Sequence, residues 1–357
     1  MAVHFYPLVV REIREETKDC VSVSFEIPVE LKEIFKFNQG QHLIIKKNIN
    51  GNEIRRNYSL CTTPFDNDYR IAIKKIDEGL FSSFANQELK VGDTLDVMPP
   101  LGKFNTSLNS NQQKKYVAFA AGSGITPIIS NIKSILYTEP KSECILVYGN
   151  KFTSSIIFKE ELEALKNKFM GRLQLIHVLS RERTETPINN GRIDADKLKQ
   201  LNNLIQWKNI DEFFLCGPEE MIVITRDFLE GLNIDRKKIH YELFNITKKA
   251  NTSSNQKTTS PQIKSTITVI SSGRSFEIAM QANENKSILD AALNVVADLP
   301  FACKGGVCCT CKAKLLEGKV DMDVNWGLEQ EEVEQGYILT CQSHPTTEKV
   351  VVDFDVK

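Results

Sequence analysis

Four of the nine cysteines, Cys303, Cys308, Cys311 and Cys341, follow the pattern C-x4-C-x2-C with a distant fourth member. Three thiolates on one tight loop can wrap a plant-type [2Fe–2S] cluster, and this is the spacing such clusters use. The fourth ligand comes from elsewhere in the fold, here from Leu339-Thr340-Cys341. Gly305 and Gly306 lie inside the loop, where the missing Cβ lets the backbone curl and aim N–H groups at sulfur. The competing readings are a structural zinc site and buried thiols. Structural zinc favours paired C-x2-C units, which neither the x4 gap nor the isolated Cys341 suits. Cys309 falls out of the pattern and reads as a structural thiol, as do Cys20, Cys61 and Cys144.

A second group of types suits a flavin dinucleotide. Arg56-Asn57-Tyr58-Ser59-Leu60 offers a guanidinium for pyrophosphate, an aromatic ring for the isoalloxazine and a hydroxyl for its edge. Alternation alone would explain Tyr58 equally well as strand packing. Twenty residues on, Gly79-Leu80-Phe81-Ser82-Ser83 supplies a glycine turn and hydroxyls where a helix could begin, a natural second phosphate contact.

A third group suits a nicotinamide nucleotide. Ala121-Gly122-Ser123-Gly124-Ile125-Thr126-Pro127 follows an apolar run and opens a helix, with Pro127 where a missing N–H is tolerated. Such a turn presents amides to phosphate, although close packing of strand and helix also calls for glycines. Cys216-Gly217-Pro218 ends a later strand in the same way, so both turns fall on the carboxyl edge of one sheet, where ligands bind in α/β folds. Ser180-Arg181-Glu182-Arg183 could hold a 2′-phosphate, selecting NADPH; the same residues also read as a solvated charged loop, and NADH stays open.

Three textures of sequence position these groups. From Tyr6 to about Gln113, short alternating runs such as Val21, Val23, Phe25 and Ile27 predict an antiparallel β-barrel. Runs at 42–46, 70–76 and 94–98 continue it, broken by turns at Asn50-Gly51 and Val91-Gly92-Asp93. Beyond Lys115, apolar runs at 116–121, 144–148, 173–179 and 212–216 alternate with helical stretches at 127–137, 155–168 and 218–231, the pattern of a parallel α/β sheet. Residues 245–262 are polar and aperiodic, the composition of a tether. After them come a hairpin about Ser272-Gly273, a helix over 287–296 and a last strand over 348–355, the elements of a small α+β domain. The expected domains are 1–113, 114–246 and 263–357, with 247–262 as a linker.

The totals agree with a chain of this kind. In 357 residues, 45 Lys and Arg balance 46 Asp and Glu, so nothing in the charge points to nucleic acid or an anionic membrane. From Ile263 onward there are 14 acidic and 9 basic residues, net −5, which makes the last domain a candidate docking surface. The apolar stretch 5–10 runs directly into Arg11 and Glu12 without the pattern of a signal peptide, and the expected location is cytoplasmic.

On these residues the chain resembles the ferredoxin-NADP reductase superfamily with a C-terminal ferredoxin domain. The family's flavin motif falls on Arg56, Tyr58 and Ser59, its phosphate turn on Gly79 and Ser82, its glycine turn on Gly122 to Pro127, and its Cys-Gly-Pro turn on Cys216 to Pro218. An acidic residue two before an aromatic is matched by Glu242 and Phe244. Within the superfamily, 287–293, 297–308 and 350–355 are similar to the reductases of the phenylacetyl-CoA epoxidase group.

The resemblance implies electron flow from NADPH to FAD to [2Fe–2S] to di-iron oxygenase subunits. Ser59 would lie beside the flavin, Thr126 and Cys216 would place the nicotinamide, Glu242 would orient it or handle a proton, and Phe244 would cover a flavin face. The rivals are a reductase for a ring-hydroxylating dioxygenase or another di-iron monooxygenase and, from another class, an iron–sulfur redox sensor.

Overall fold

The computed structural model describes residues 4–244, 264–281, 286–296 and 299–356. The expected linker at 247–262 lies outside them. The chain divides after Phe244 into two compact units, the first spanning Tyr6–Phe244.

The first unit opens with β1 (Tyr6–Thr17), β2 (Cys20–Glu26), β3 (His42–Ile49), β4 (Asn52–Ser59), β5 (Tyr69–Lys74), helix α1 (Leu80–Gln87) and β6 (Thr94–Val97). They form a sheet of order β4-β3-β6-β1-β2-β5 in which every pairing is antiparallel. The chain leaving β4 bridges β5 at Leu60–Ile71, and the Cys61 N–H donates to the Arg70 carbonyl at 2.9 Å, so the two edges meet and the sheet closes.

The alternation in β2 holds only in part. Val23 and Phe25 are buried as expected, but Ser22 and Ser24 are fully buried too. Polar partners cover them: Ser22 Oγ donates to Glu16 at 2.6 Å and accepts from Arg70 at 3.1 Å, and Ser24 bonds Asp68. The face expected to meet solvent is roofed by ion pairs.

The second half of this unit runs β7 (Lys115–Ala121), α2 (Ile125–Thr138), β8 (Glu143–Asn150), α3 (Lys159–Lys168), β9 (Leu173–Leu179), α4 (Ala195–Leu201), β10 (Glu212–Gly217), α5 (Glu219–Gly231) and β11 (Ile239–Leu243). The strands lie parallel in the order β11-β10-β7-β8-β9. Helix α2 buries Ile125, Ile128, Ile129, Ile132, Ile135 and Leu136, a helical repeat in which each side chain contributes about 2 kcal/mol of burial. The helix expected from 155 begins only at Lys159, because Phe158 takes a left-handed φ of 59° at its N-cap and residues 153–155 form a separate 3-10 turn.

The second unit contains β12 (Lys264–Ser271), β13 (Arg274–Gln281), α6 (Ile288–Ala292), β14 (Lys312–Glu317), β15 (Val320–Met322), α7 (Gln330–Glu334), β16 (Tyr337–Leu339), β17 (Ser343–Pro345) and β18 (Lys349–Asp353). A mixed sheet of order β13-β12-β18-β14-β16 packs Ile267, Val269, Val350 and Val352 against Ile288 and Leu289 of α6. Helix α6 is shorter than the expected 287–296, which instead finishes in turns; Ser287 caps it by accepting from the Asp290 N–H. Among the described residues no helix is long and apolar enough to cross a membrane.

Candidate functional site

In the first unit the site gathers at the carboxyl edge of the parallel sheet. Strands β10 and β11 run in register with Cys216 opposite Glu242, and Cys216 also faces Ala120 at the end of β7. The Glu242 carboxylate meets the barrel. Ser59 Oγ donates to Glu242 Oε2 at 3.3 Å, and His42 Nδ1 lies 3.5 Å from Oε1. His42 and Ser59 are cross-strand partners on β3 and β4, so barrel register sets both.

No motif or spacing in the sequence singles out His42. It is 2% exposed, and neither ring nitrogen has a hydrogen-bond partner of good geometry, an expensive state for a buried polar side chain. The 3.5 Å approach to Glu242 is an electrostatic contact only. A lone histidine on a strand carries no spacing signal, which is why sequence reasoning passes over it.

Cys216 is wholly buried, and burial first, then the nearby negative charge of Glu242, pushes its thiol well above the ordinary range. It is a neutral group, not a thiolate nucleophile. Two glycines let the turns close on it. A Cβ on Gly124 would stand 2.1 Å from the Cys216 carbonyl oxygen, and one on Gly217 would meet Met221 Cε at 2.7 Å. Gly122 takes a φ of 54°, a conformation glycine adopts without strain. Thr126 is buried and its hydroxyl donates to the Ser123 carbonyl at 3.1 Å, fixing the loop, while Pro127 sits in the first turn of α2.

On β4, Arg56 is exposed and Tyr58 half-buried on the same strand face, the ring 5.6 Å from Phe81. Leu60 is buried. Gly79 is the N-cap of α1, where a Cβ would fall 2.3 Å from Ser82 Oγ. Ser82 is already engaged, donating to the Gly79 carbonyl and accepting from the Ile76 N–H, both at 3.2 Å, so its hydroxyl shapes the turn that opens α1. Phe244 packs against the core of the nucleotide half.

Ser180 and Arg181 are placed at the end of β9, with Ser180 Oγ donating to the Asn150 carbonyl at 3.3 Å. The Arg181 N–H bonds the Lys151 carbonyl at 3.0 Å, bringing two basic residues onto adjacent strand ends. The intervening acid is occupied: Glu182 accepts from the Thr153 N–H and hydroxyl at 2.6 and 2.7 Å.

In the second unit the four cysteines come together although they span the stretch from 303 to 341. Cys311 immediately precedes β14 and Cys341 follows β16, and those strands pair with Lys312 opposite Leu339. Thr340 secures the crossing, its N–H and hydroxyl both donating to the Cys311 carbonyl, at 3.2 and 2.9 Å. The thiols meet in two pairs. Cys308 hydrogen-bonds Cys303 and lowers it, with the amides of Gly305, Val307 and Cys308 adding to the effect, while Cys308 itself is pushed up; Cys311 and Cys341 repeat the arrangement.

Two thiol pairs, Cys303 with Cys308 and Cys311 with Cys341, make up the four-cysteine donor set of an iron–sulfur cluster. Further donors reach the sulfurs: the Gly305 N–H lies 3.3 Å from Cys303 Sγ and Thr310 Oγ1 lies 3.2 Å from Cys308 Sγ. Cys309 takes a φ of 53° and turns its sulfur to the Gly327 carbonyl, away from this set.

Family models match three stretches of the chain. Residues 7–106 match the oxidoreductase FAD-binding domain, 119–227 the oxidoreductase NAD-binding domain, and 271–346 the 2Fe-2S iron-sulfur cluster binding domain. The chain is 42% identical to a subunit of the 1,2-phenylacetyl-CoA epoxidase of Escherichia coli (strain K12), covering 99% of this chain and 98% of that protein. It is 30% identical to the ferredoxin reductase component of 3-ketosteroid-9-alpha-monooxygenase from Rhodococcus rhodochrous, over 97% and 96%. Among solved structures, phthalate dioxygenase reductase shares the fold with a TM-score of 0.60 at 23% identity, over 98% of each chain. The chain therefore belongs to the family of oxygenase reductase components that combine FAD-binding, NAD-binding and [2Fe–2S] domains.

Proposed function

We propose that this reductase takes electrons from NADPH and delivers them to the di-iron subunits of an oxygenase acting on phenylacetyl-CoA. The 42% identical relative supports the substrate system. One geometric observation carries the mechanism: Ser59 from the flavin barrel and Glu242 from the nucleotide sheet meet at 3.3 Å, beside a buried neutral cysteine. FAD and the cluster, when bound, supply the conversion of a two-electron hydride into single electrons.

The chain's own residues bind and orient. Arg56 and the amides at the start of α1 hold the flavin pyrophosphate, and Tyr58 offers its ring to the isoalloxazine. His42 has two buried nitrogens to satisfy, a fit to a polar ligand edge at this point. The loop from Gly122 to Thr126 carries the coenzyme phosphates, and Cys216 with Gly217 forms the wall against which the nicotinamide lies. Glu242 orients the carboxamide end through the geometry that Ser59 and His42 impose, and Phe244 borders the site. Ser180 and Arg181 face a 2′-phosphate, and Glu182 does not oppose it because Thr153 holds its carboxylate. Cys303, Cys308, Cys311 and Cys341 would hold the [2Fe–2S] cluster.

Reconstitution tests the assignment. With a phenylacetyl-CoA epoxidase oxygenase component, NADPH-driven substrate oxidation should depend on this chain. Failure with an oxygenase that is active with another reductase contradicts the proposed partner. Arg181→Ala should lower kcat/KM for NADPH about tenfold, the loss of one charge-assisted contact, and leave that for NADH unchanged.

A further inference from the structure

We propose that Gln342 is a positioning residue for the cluster, a strap that joins the fourth ligand to the loop carrying the first and gives an N–H to the ligand sulfur. The inference rests on Cys303 and Cys341 being ligands. Gln342 Nε2 lies 3.0 Å from the Lys304 carbonyl, 2.9 Å from the Cys341 carbonyl and 3.7 Å from Cys341 Sγ. Its two hydrogens thus have three acceptors in reach, one of them a sulfur.

Everything around the carboxamide is held. The Gln342 N–H donates to the Leu339 carbonyl and its carbonyl accepts from the Asp323 N–H, each at 2.9 Å, so the backbone cannot swing. Lys304 presents its carbonyl from a left-handed φ of 49°, while its ammonium is fixed 2.8 Å from Asp290 and 4.9 Å from the centre of the Phe301 ring. Gly306 makes room: a Cβ there would stand 3.0 Å from Gln342 Cγ, and its carbonyl accepts from the N–H groups of Trp326 and Gly327 at 3.1 and 2.9 Å. A solvated glutamine beside a cysteine would need none of these supports.

Two effects follow. The strap ties one thiol pair to the other across 38 residues of sequence, keeping the loop shut over the metal. An N–H directed at a ligand sulfur also favours the reduced state, which carries one more negative charge, so it raises the reduction potential.

The test uses the full cofactor-loaded chain. Gln342→Met keeps length and removes the donors, Gln342→Glu adds a negative charge, and Gln342→Lys restores N–H donors with a positive charge. The reduction equilibrium of the cluster should fall about tenfold in the Met variant, about 59 mV for one electron, further in Glu, and return to or above wild type in Lys. Iron release to a chelator should quicken several-fold in Met and Glu, with flavin absorbance unchanged. A Met variant with wild-type potential and wild-type iron release overturns the proposal. If Met fails to take up iron, a Lys variant that holds its cluster at wild-type potential or above supports it, and one that releases iron as readily as Glu contradicts it. Wild-type protein lacking paired iron and sulfide would instead sink the ligand assignment beneath it.

Discussion

Ser59 and Glu242, 183 positions apart, come within 3.3 Å, one from the end of a barrel strand and the other from the edge strand of a parallel sheet. The contact places a hydroxyl and a carboxylate at the junction of the two halves of the first unit, with His42 3.5 Å from the same carboxylate. Glu242→Gln and Ser59→Ala should each slow hydride transfer by roughly 10- to 100-fold, the scale of a misplaced reactant, with little change in folding stability. Stopped-flow reduction of the bound flavin reads this directly. His42→Leu should slow the same step while leaving the melting temperature of the cofactor-free chain equal or higher, since it removes buried nitrogens that lack partners.

Gly124 is expected to tolerate no side chain. Its φ of −60° is ordinary, so the constraint is space: the alanine methyl would need to occupy a point 2.1 Å from the Cys216 carbonyl oxygen. Gly124→Ala should spread the two turns and raise KM for the nicotinamide coenzyme at least several-fold, while iron content stays at the wild-type level. Steady-state kinetics together with iron analysis separates the two effects.

The neighbouring cysteines Cys308 and Cys309 should behave oppositely. Cys308→Ser, like Cys341→Ser, breaks a thiol pair and should abolish or strongly destabilise the cluster while sparing flavin reduction. Cys309→Ser should retain iron, because that sulfur faces the Gly327 carbonyl instead of the other thiols. Visible absorbance and iron analysis of the purified variants decide it.

Acid should unlock the first unit through Glu212. Burial raises this carboxyl, but bonds from His240, Lys114 and Thr106 outweigh it and hold the group at about 2, against an ordinary 4.5. A lowered folded-state value contributes stability that is fully present above the unfolded value and lost as pH falls. Stability should therefore decline between about pH 4.5 and 2, and Glu212→Gln should flatten that decline while costing about 1–3 kcal/mol at neutral pH. Denaturant titrations across the window measure both.

The sequence made the cluster legible because three of its ligands are local: spacing alone places Cys303, Cys308 and Cys311 on one loop. The parallel strands were equally visible, since β7, β8 and β10 are buried on both faces and read as apolar runs. Strand β11 carried no such signal. Its residues Ile239–Leu243 include His240 and Glu242 and are buried only at the ends, so Glu242 was found through family resemblance rather than periodicity. His42 and Gln342 were invisible for a different reason: their roles lie in cross-strand and loop-to-loop contacts that no spacing encodes. The buried serines of β2 show the same limit, because alternation reports side-chain type and not what covers it.

We propose that NADPH delivers hydride at the Ser59–Glu242 junction, that its two electrons leave one at a time through the four cysteines, and that its proton is released to solvent. Anaerobic mixing of the cofactor-loaded chain with NADPH, followed at flavin and cluster wavelengths, tests it most directly. Flavin absorbance should bleach first and cluster absorbance second, with only the first phase left in Cys341→Ser. A wild-type chain whose flavin is fully reduced while its cluster stays oxidised would contradict the account.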